Sequence, residues 1–305
     1  MRAASGCRLC PRACGADRRA GQRGWCGAGP RARIARVALH HWEEPPISGS
    51  RGSGAVFFSR CNLRCVFCQN HEISVGGFGL DLDPADLADR FLALEAQRAH
   101  NINLVSPTPY IVEIAQALRL AGERGLKAPV VYNSNAYERP EALSTLDGLV
   151  QVFLPDLKYA DDALAAEYSN AKGYFAAAKR AIQAMRALAP ADIFDREGIM
   201  KGGLIIRHLV LPGCLENTRE VLGWIAGTLG KDTYVSLMAQ YTPAHRAREN
   251  PALNRLLTPE EYERALSFFE DAGLKNGFCQ GLDAASPDYI PHFDLAGVES
   301  VRADG

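Results

Sequence analysis

From residue 55 onward, short apolar runs alternate with longer amphipathic stretches. Residues 55–59, 102–105, 129–132, 150–154, 204–210 and 234–238 are rich in Val, Ile, Leu, Tyr and Phe, and their lengths suit buried strands. Between them, residues 83–98, 109–124, 138–146, 161–188 and 217–229 carry helical periodicity, and a last helix opens at 258–261. Asp83 before Pro84 supplies a cap and a first-turn proline. Apolar strands joined through helices imply a parallel sheet covered by helices. Six such units fall short of the eight in a closed barrel, so the expected α/β architecture is an open, partial (β/α)6 barrel.

Polar residues gather just after the predicted strands: Cys61 to Cys68, Ser106 and Thr108, Asn133 and Asn135, Asp156 and Lys158, then His208, then Gln240 and Tyr241. In parallel α/β folds these strand ends share one face, where ligands bind. Groups scattered over 180 residues should therefore meet in one place. Arg207 and His208 are adjacent on one strand, so they face opposite ways and only one can enter that place.

Composition narrows the class. The 305 residues are 47% hydrophobic and 23% charged, which excludes a disordered chain and suits one large domain with a small appendage. No apolar run is long enough to cross a membrane, and the N-terminus lacks an apolar leader, so a cytoplasmic location is expected. The net charge of -1 hides an asymmetry. Residues 1–36 hold nine arginines against one acid, Asp17, a balance of +8 that leaves -9 for the rest. Residues 43–54, rich in Pro, Gly and Ser, read as a connecting loop. The expected organisation is a basic cysteine-rich segment with its linker over 1–53 and a barrel over 54–305.

Nine cysteines are unusual in such a chain, and seven lie within the first 68 residues. Disulfides are rare in the cytosol, so clustered cysteines there point to metal. Cys61, Cys65 and Cys68 form C-x3-C-x2-C directly after the first predicted strand. Three thiolates on a tight loop can hold three irons of a four-iron cluster and leave the fourth open. The alternative is a closed zinc site with Cys214 or Cys279 as fourth ligand. Cys7, Cys10, Cys14 and Cys26 supply four thiolates within twenty residues, where a metal would provide the folding energy that so short a segment lacks. A second [4Fe-4S] cluster or zinc fits this set. The arginines around it could stabilise an anionic site or dock an acidic partner. Trp25 is the only aromatic residue of the head, which speaks against nucleic acid.

The cysteine loop, with Phe67 before its third cysteine, resembles the radical S-adenosylmethionine (SAM) enzymes. Cys61–Asn70, Asp156-Leu157-Lys158 and Arg207-His208-Leu209-Val210 together resemble the pyruvate formate-lyase activating-enzyme group, and the N-terminal block, residues 40–46 and residues 101–105 resemble its PflX-type subgroup. The resemblance implies a [4Fe-4S] cluster on Cys61, Cys65 and Cys68 that binds SAM at its open iron. Reductive cleavage of SAM would give a 5'-deoxyadenosyl radical for hydrogen abstraction. It further implies Phe67 near adenine, Asn133 and Asn135 near ribose, and Asp156 and Lys158 near a monovalent cation and SAM. His208 is an expected catalytic residue and Arg207 a SAM contact. Ser106 and Thr108 stand where relatives carry a Gly-Gly-Glu for the SAM amino group. The implied partners are a flavodoxin or ferredoxin reductant and a substrate, either a glycyl radical protein or a small molecule. A non-catalytic redox-sensing module is the competing class, and the open three-cysteine loop argues against it.

Overall fold

A computed structural model describes residues 6–285 and 291–299. Its strands are β1 (Ala32–His40), β2 (Ser53–Phe58), β3 (Leu80–Leu82), β4 (Ile102–Val105), β5 (Val130–Ser134), β6 (Val152–Pro155), β7 (Ile193–Phe194), β8 (Met200–Leu209), β9 (Tyr234–Met238) and β10 (Asn276–Cys279). The helices are α1 (Pro45–Ser48), α2 (His71–Ser74), α3 (Pro84–Ala96), α4 (Ile111–Glu123), α5 (Pro140–Leu143), α6 (Asp162–Ser169), α7 (Tyr174–Leu188), α8 (Leu215–Leu229) and α9 (Pro259–Asp271). One sheet runs in the order β10-β9-β8-β6-β5-β4-β2-β1-β3, with β7 paired to β8. The six expected strands, β2, β4, β5, β6, β8 and β9, are parallel neighbours, and β10 extends them by one. Each is followed by helices that pack their apolar faces on the sheet. The result is an open, partial barrel whose parallel strands have their carboxyl ends on one face.

Local chemistry explains the boundaries. The Asp83 side chain accepts the amides of Ala85 and Asp86 at 2.9 and 3.0 Å, so α3 starts where the sequence places it. Thr258 and Glu261 form a capping box on α9. The helical region 161–188 breaks into two helices. Asn170 caps α6 in a left-handed conformation (φ 49°), and Gly173 takes φ 60° ahead of α7. That break brings the carbonyls of Tyr168 and Ser169 to the amides of Val66 and Arg64. The end of α6 is thus a template for the cysteine loop.

The region 32–54 corrects the sequence expectation. β1 lies within the segment assigned to the head, yet it pairs antiparallel with β2 from Ile34–Phe58 to His40–Ser53. Its charged residues mask the strand in the sequence: Arg33 pairs with Asp81 and Arg36 with Asp294. The stretch read as a connecting loop contains α1, whose Ile47 is fully buried among Val131, Val152, Leu154, Met200 and Ile205. Burying such a side chain contributes roughly 1.5–3 kcal/mol, so this segment is anchored in the barrel. Beyond β10, the chain reaches β1 again, where Leu295 N donates to Ala35 O and Val37 N to Ala296 O.

Candidate functional site

The cysteine loop leaves β2 through Arg60, a left-handed residue (φ 74°) whose amide donates to Ile73 O and whose guanidinium donates to Val75 O. This turn aims Cys61, Cys65 and Cys68 into a pocket of about 240 Å3 over the carboxyl ends of the strands. Each sulfur has a donor or hydroxyl partner. Asn135 Nδ2 donates to Cys61 Sγ at 3.3 Å and Ser169 Oγ to Cys65 Sγ at 2.9 Å, while Ser74 Oγ lies 3.2 Å from Cys68 Sγ. Burial, and next the neighbouring Cys65, push the Cys61 thiol up to about 12 and the Cys68 thiol to about 11. Three thiols crowded in this way resist joint ionisation unless a cationic group joins them. Among the described residues no group of three or more His, Cys, Asp and Glu is arranged to hold a single metal ion. A four-iron cluster takes each thiolate on a different iron, so its ligands need not converge on one point. The donor set fits that cluster.

Opposite the loop lies an ionic network. Arg207 Nε donates to Asp156 Oδ1 at 2.7 Å, its Nη1 to Glu43 Oε2 at 3.0 Å and its Nη2 to Asn133 Oδ1 at 2.6 Å. Lys158 Nζ donates to Asp156 Oδ2 at 2.7 Å. Burial would raise the Asp156 carboxyl, but Arg207 and Lys158 outweigh it and hold the group below the usual carboxylate range. Asp156 is therefore ionised at neutral pH. Phe67, Ser106, Asn133, Asn135, Asp156, Lys158 and Arg207 all line the pocket with the three cysteines.

Two expected residues lie elsewhere. His208 points to the other side of β8, fully buried, with Nδ1 2.7 Å from Leu157 O and Nε2 3.0 Å from Thr218 Oγ1. Both nitrogens are used in the core, so its assignment as a catalytic residue is corrected: it holds the strand-end turn in place. Thr108 is buried outside the pocket and donates to Glu138, so Ser106 alone of that pair lines the pocket.

Sequence reasoning missed Glu43 and Glu44, which line the pocket from the segment before α1. Glu43 Oε1 also accepts from Asn103 at 2.9 Å and Asn133 at 3.3 Å. A polar Asn103 in the middle of an apolar strand was the available signal.

Cys7, Cys10, Cys14 and Cys26 line a second, small cavity with Arg12, Arg18 and Asn62. Arg18 Nη2 donates to Cys7 Sγ at 3.3 Å and Cys26 Sγ at 3.5 Å, so a cation already faces the sulfurs. Arg12 stacks 4.1 Å over Trp25 and donates to the carbonyls of Asn62 and Asn170. Arg12 thus fastens the head to the loop bearing Cys61. Cys214 begins α8 and Cys279 is exposed on β10; neither lines either cavity.

Residues 55–202 match the family described as the radical SAM superfamily. An uncharacterized protein of Methanocaldococcus jannaschii is 32% identical over 280 residues, 88% of this chain and 75% of that protein. The structure of Streptococcus suis SuiB bound to precursor peptide SuiA aligns with TM-score 0.50 at 14% identity, over 75% of this chain and 48% of SuiB. That likeness speaks for the fold alone, and the chain spans about half the length of SuiB. A domain of pyruvate-formate lyase-activating enzyme from Bacteroides vulgatus aligns with TM-score 0.43 at 15% identity, over 60% of this chain and 100% of that domain. Residues 55–202, which carry the C-x3-C-x2-C loop at the head of the partial parallel barrel, form a domain of the radical SAM superfamily.

Proposed function

We propose that the protein is a radical SAM enzyme that binds its [4Fe-4S] cluster through Cys61, Cys65 and Cys68 and its SAM against the Asp156–Lys158–Arg207 network. Membership of the superfamily implies both the cluster and SAM. When bound, they supply a one-electron cleavage of SAM to a 5'-deoxyadenosyl radical that abstracts hydrogen from a substrate. The observation that carries the reading is the confluence of three half-buried thiols and the ion network in one pocket.

The chain's own residues have distinct tasks in this reading. Asn135 and Ser169 donate to sulfur and favour the thiolate form of Cys61 and Cys65. Lys158 faces the pocket as a half-buried cation, held charged against the burial penalty by Asp156 and then Cys65, and suits a carboxylate. Asn133 and Asn135 offer polar groups to a ribose, and Phe67 an apolar wall to an adenine. Leu63, Ile73 and Met238 complete that wall and exclude water from a reactive carbon radical.

The head cysteines form a second metal or iron–sulfur site in this reading, and the electron comes from a flavodoxin or ferredoxin. Activation of a glycyl radical protein rests on the sequence resemblance.

The test is direct. Anaerobically purified protein given SAM and dithionite should form 5'-deoxyadenosine and show broad cluster absorbance. The triple variant with Cys61, Cys65 and Cys68 changed to Ala should lose both. Continued SAM cleavage by that variant would sink the proposal.

A further inference from the structure

Beside the mouth of the main pocket lies a second cavity of about 660 Å3, bordered by His71, His245 and Arg248. Gln69 and Thr242 line both cavities and are joined by a 3.2 Å hydrogen bond from Gln69 Nε2 to Thr242 Oγ1, so they form a shared wall. The rings of His71 and His245 stack with centroids 4.8 Å apart and planes at 17°. Among the described residues neither ring makes a hydrogen bond, and His71 Nδ1 is buried without a partner. His208 shows the contrast, since both its nitrogens are committed to the core.

No Asp or Glu among the described residues lines this second cavity. Nearby, Glu249 is taken by Arg246 at 3.3 Å, which leaves Arg248 and the two imidazoles as the charge-bearing groups of the wall. The two ring edges and the Arg248 guanidinium offer N–H donors on one wall of the cavity, a donor set that suits an oxyanion. His245 is also held in a left-handed conformation (φ 51°), uncommon for a residue other than glycine, so the loop maintains its position at a backbone cost.

Resting on the radical SAM reading, we propose that this cavity binds the oxyanion, phosphate or carboxylate, of a small-molecule substrate whose reacting carbon lies in the adjoining pocket. Arg248 supplies the permanent charge and His71 and His245 the hydrogen bonds. The shared Gln69–Thr242 wall sets the distance between the acid group and the carbon that loses hydrogen. The cavity's concave form and the wall it shares with the main pocket favour a small molecule over an acidic protein surface.

Full-length protein, reconstituted with its metals, is titrated calorimetrically with inorganic phosphate and separately with malonate. Saturable one-to-one binding of either supports the site, and the stronger of the two names the acid group. Arg248→Gln and His245→Asn, the latter chosen because Asn tolerates the left-handed backbone, should each weaken that binding about tenfold, a loss of about 1.4 kcal/mol. Substrate-free SAM cleavage should stay unchanged in both variants. Absence of binding by both anions overturns the proposal, as does equal affinity in the variants, or binding of polyglutamate when neither small anion binds. Failure of the unaltered protein to cleave SAM would instead sink the enzymatic reading and leave the anion titration to be judged by itself.

Discussion

Arg207 and His208 are consecutive on β8 and leave it on opposite faces, the guanidinium 2.7 Å from Asp156 in the pocket and the imidazole 2.7 Å from Leu157 O in the core. One strand thus serves the site with one residue and braces its wall with the next. Removing each should have different consequences.

Arg207→Gln removes a largely buried cation, 14% exposed, from between Asp156 and Glu43. Glu43 then loses this counter-charge while Asp156 keeps Lys158, so the loss should fall below the roughly 3–5 kcal/mol of a fully buried broken pair. Denaturant unfolding should register that loss. Adding Asp156→Asn should recover part of the stability while leaving SAM binding impaired.

His208 is held neutral: burial lowers its pKa to about 4, against 6.5 for the free side chain. Its contribution to stability is complete above pH 6.5 and is lost as pH falls toward 4, amounting to about 3 kcal/mol once both states have passed their transitions. His208→Asn should flatten this acid limb in thermal unfolding curves. An acid limb unaltered by the substitution would refute the assignment.

Glu138 behaves in the opposite sense. Burial raises its carboxyl to about 7 against the hydrogen bonds from Thr108 and Ser134. The folded state favours its protonated form, so stability is present below pH 4.5 and declines as pH rises through 7. Glu138→Gln should remove that decline, read as a melting temperature that no longer falls between pH 5 and about 8.

Asn135 donates to Cys61 Sγ and to Asn62 Oδ1 at 2.8 Å and fixes the Tyr137 amide through its own oxygen at 3.0 Å. Asn135→Ala should lower cluster retention about 10–100-fold, as loss of a partner to a metal ligand does. Iron and sulfide content after gel filtration measures it.

The head awaits a metal count. Changing Cys7, Cys10, Cys14 and Cys26 to Ser should remove the metal of a second site, zinc or iron with sulfide, and lower the melting temperature, because residues 6–31 contain no strand or helix of their own. Loss of iron and sulfide would name a second cluster and loss of zinc a zinc site, while unchanged metal content would overturn a metal site in the head.

The strands at 102–105 and 234–238 coincide with β4 and β9 to the residue, because short runs of buried apolar residues have a local signature. β1 escaped that reading because Arg33 and Arg36 interrupt its pattern, and their acidic partners Asp81 and Asp294 are remote in sequence. Asp156, Lys158 and Asn133 were legible because polar residues after apolar strands mark one face of a parallel sheet. Glu43 was not, since its partners Asn103, Asn133 and Arg207 lie 60, 90 and 164 residues away.

By itself the sequence determined the sheet type, the three-cysteine loop and the four-cysteine head, because periodicity and ligand spacing are properties of contiguous residues. Only the tertiary structure decided which of Arg207 and His208 faces the pocket, that Glu43 and Glu44 enter it, and that His71 stacks on His245 beside the shared wall. Those choices depend on side-chain direction and on contacts between distant segments, and both are fixed only when the sheet twists and the helices pack.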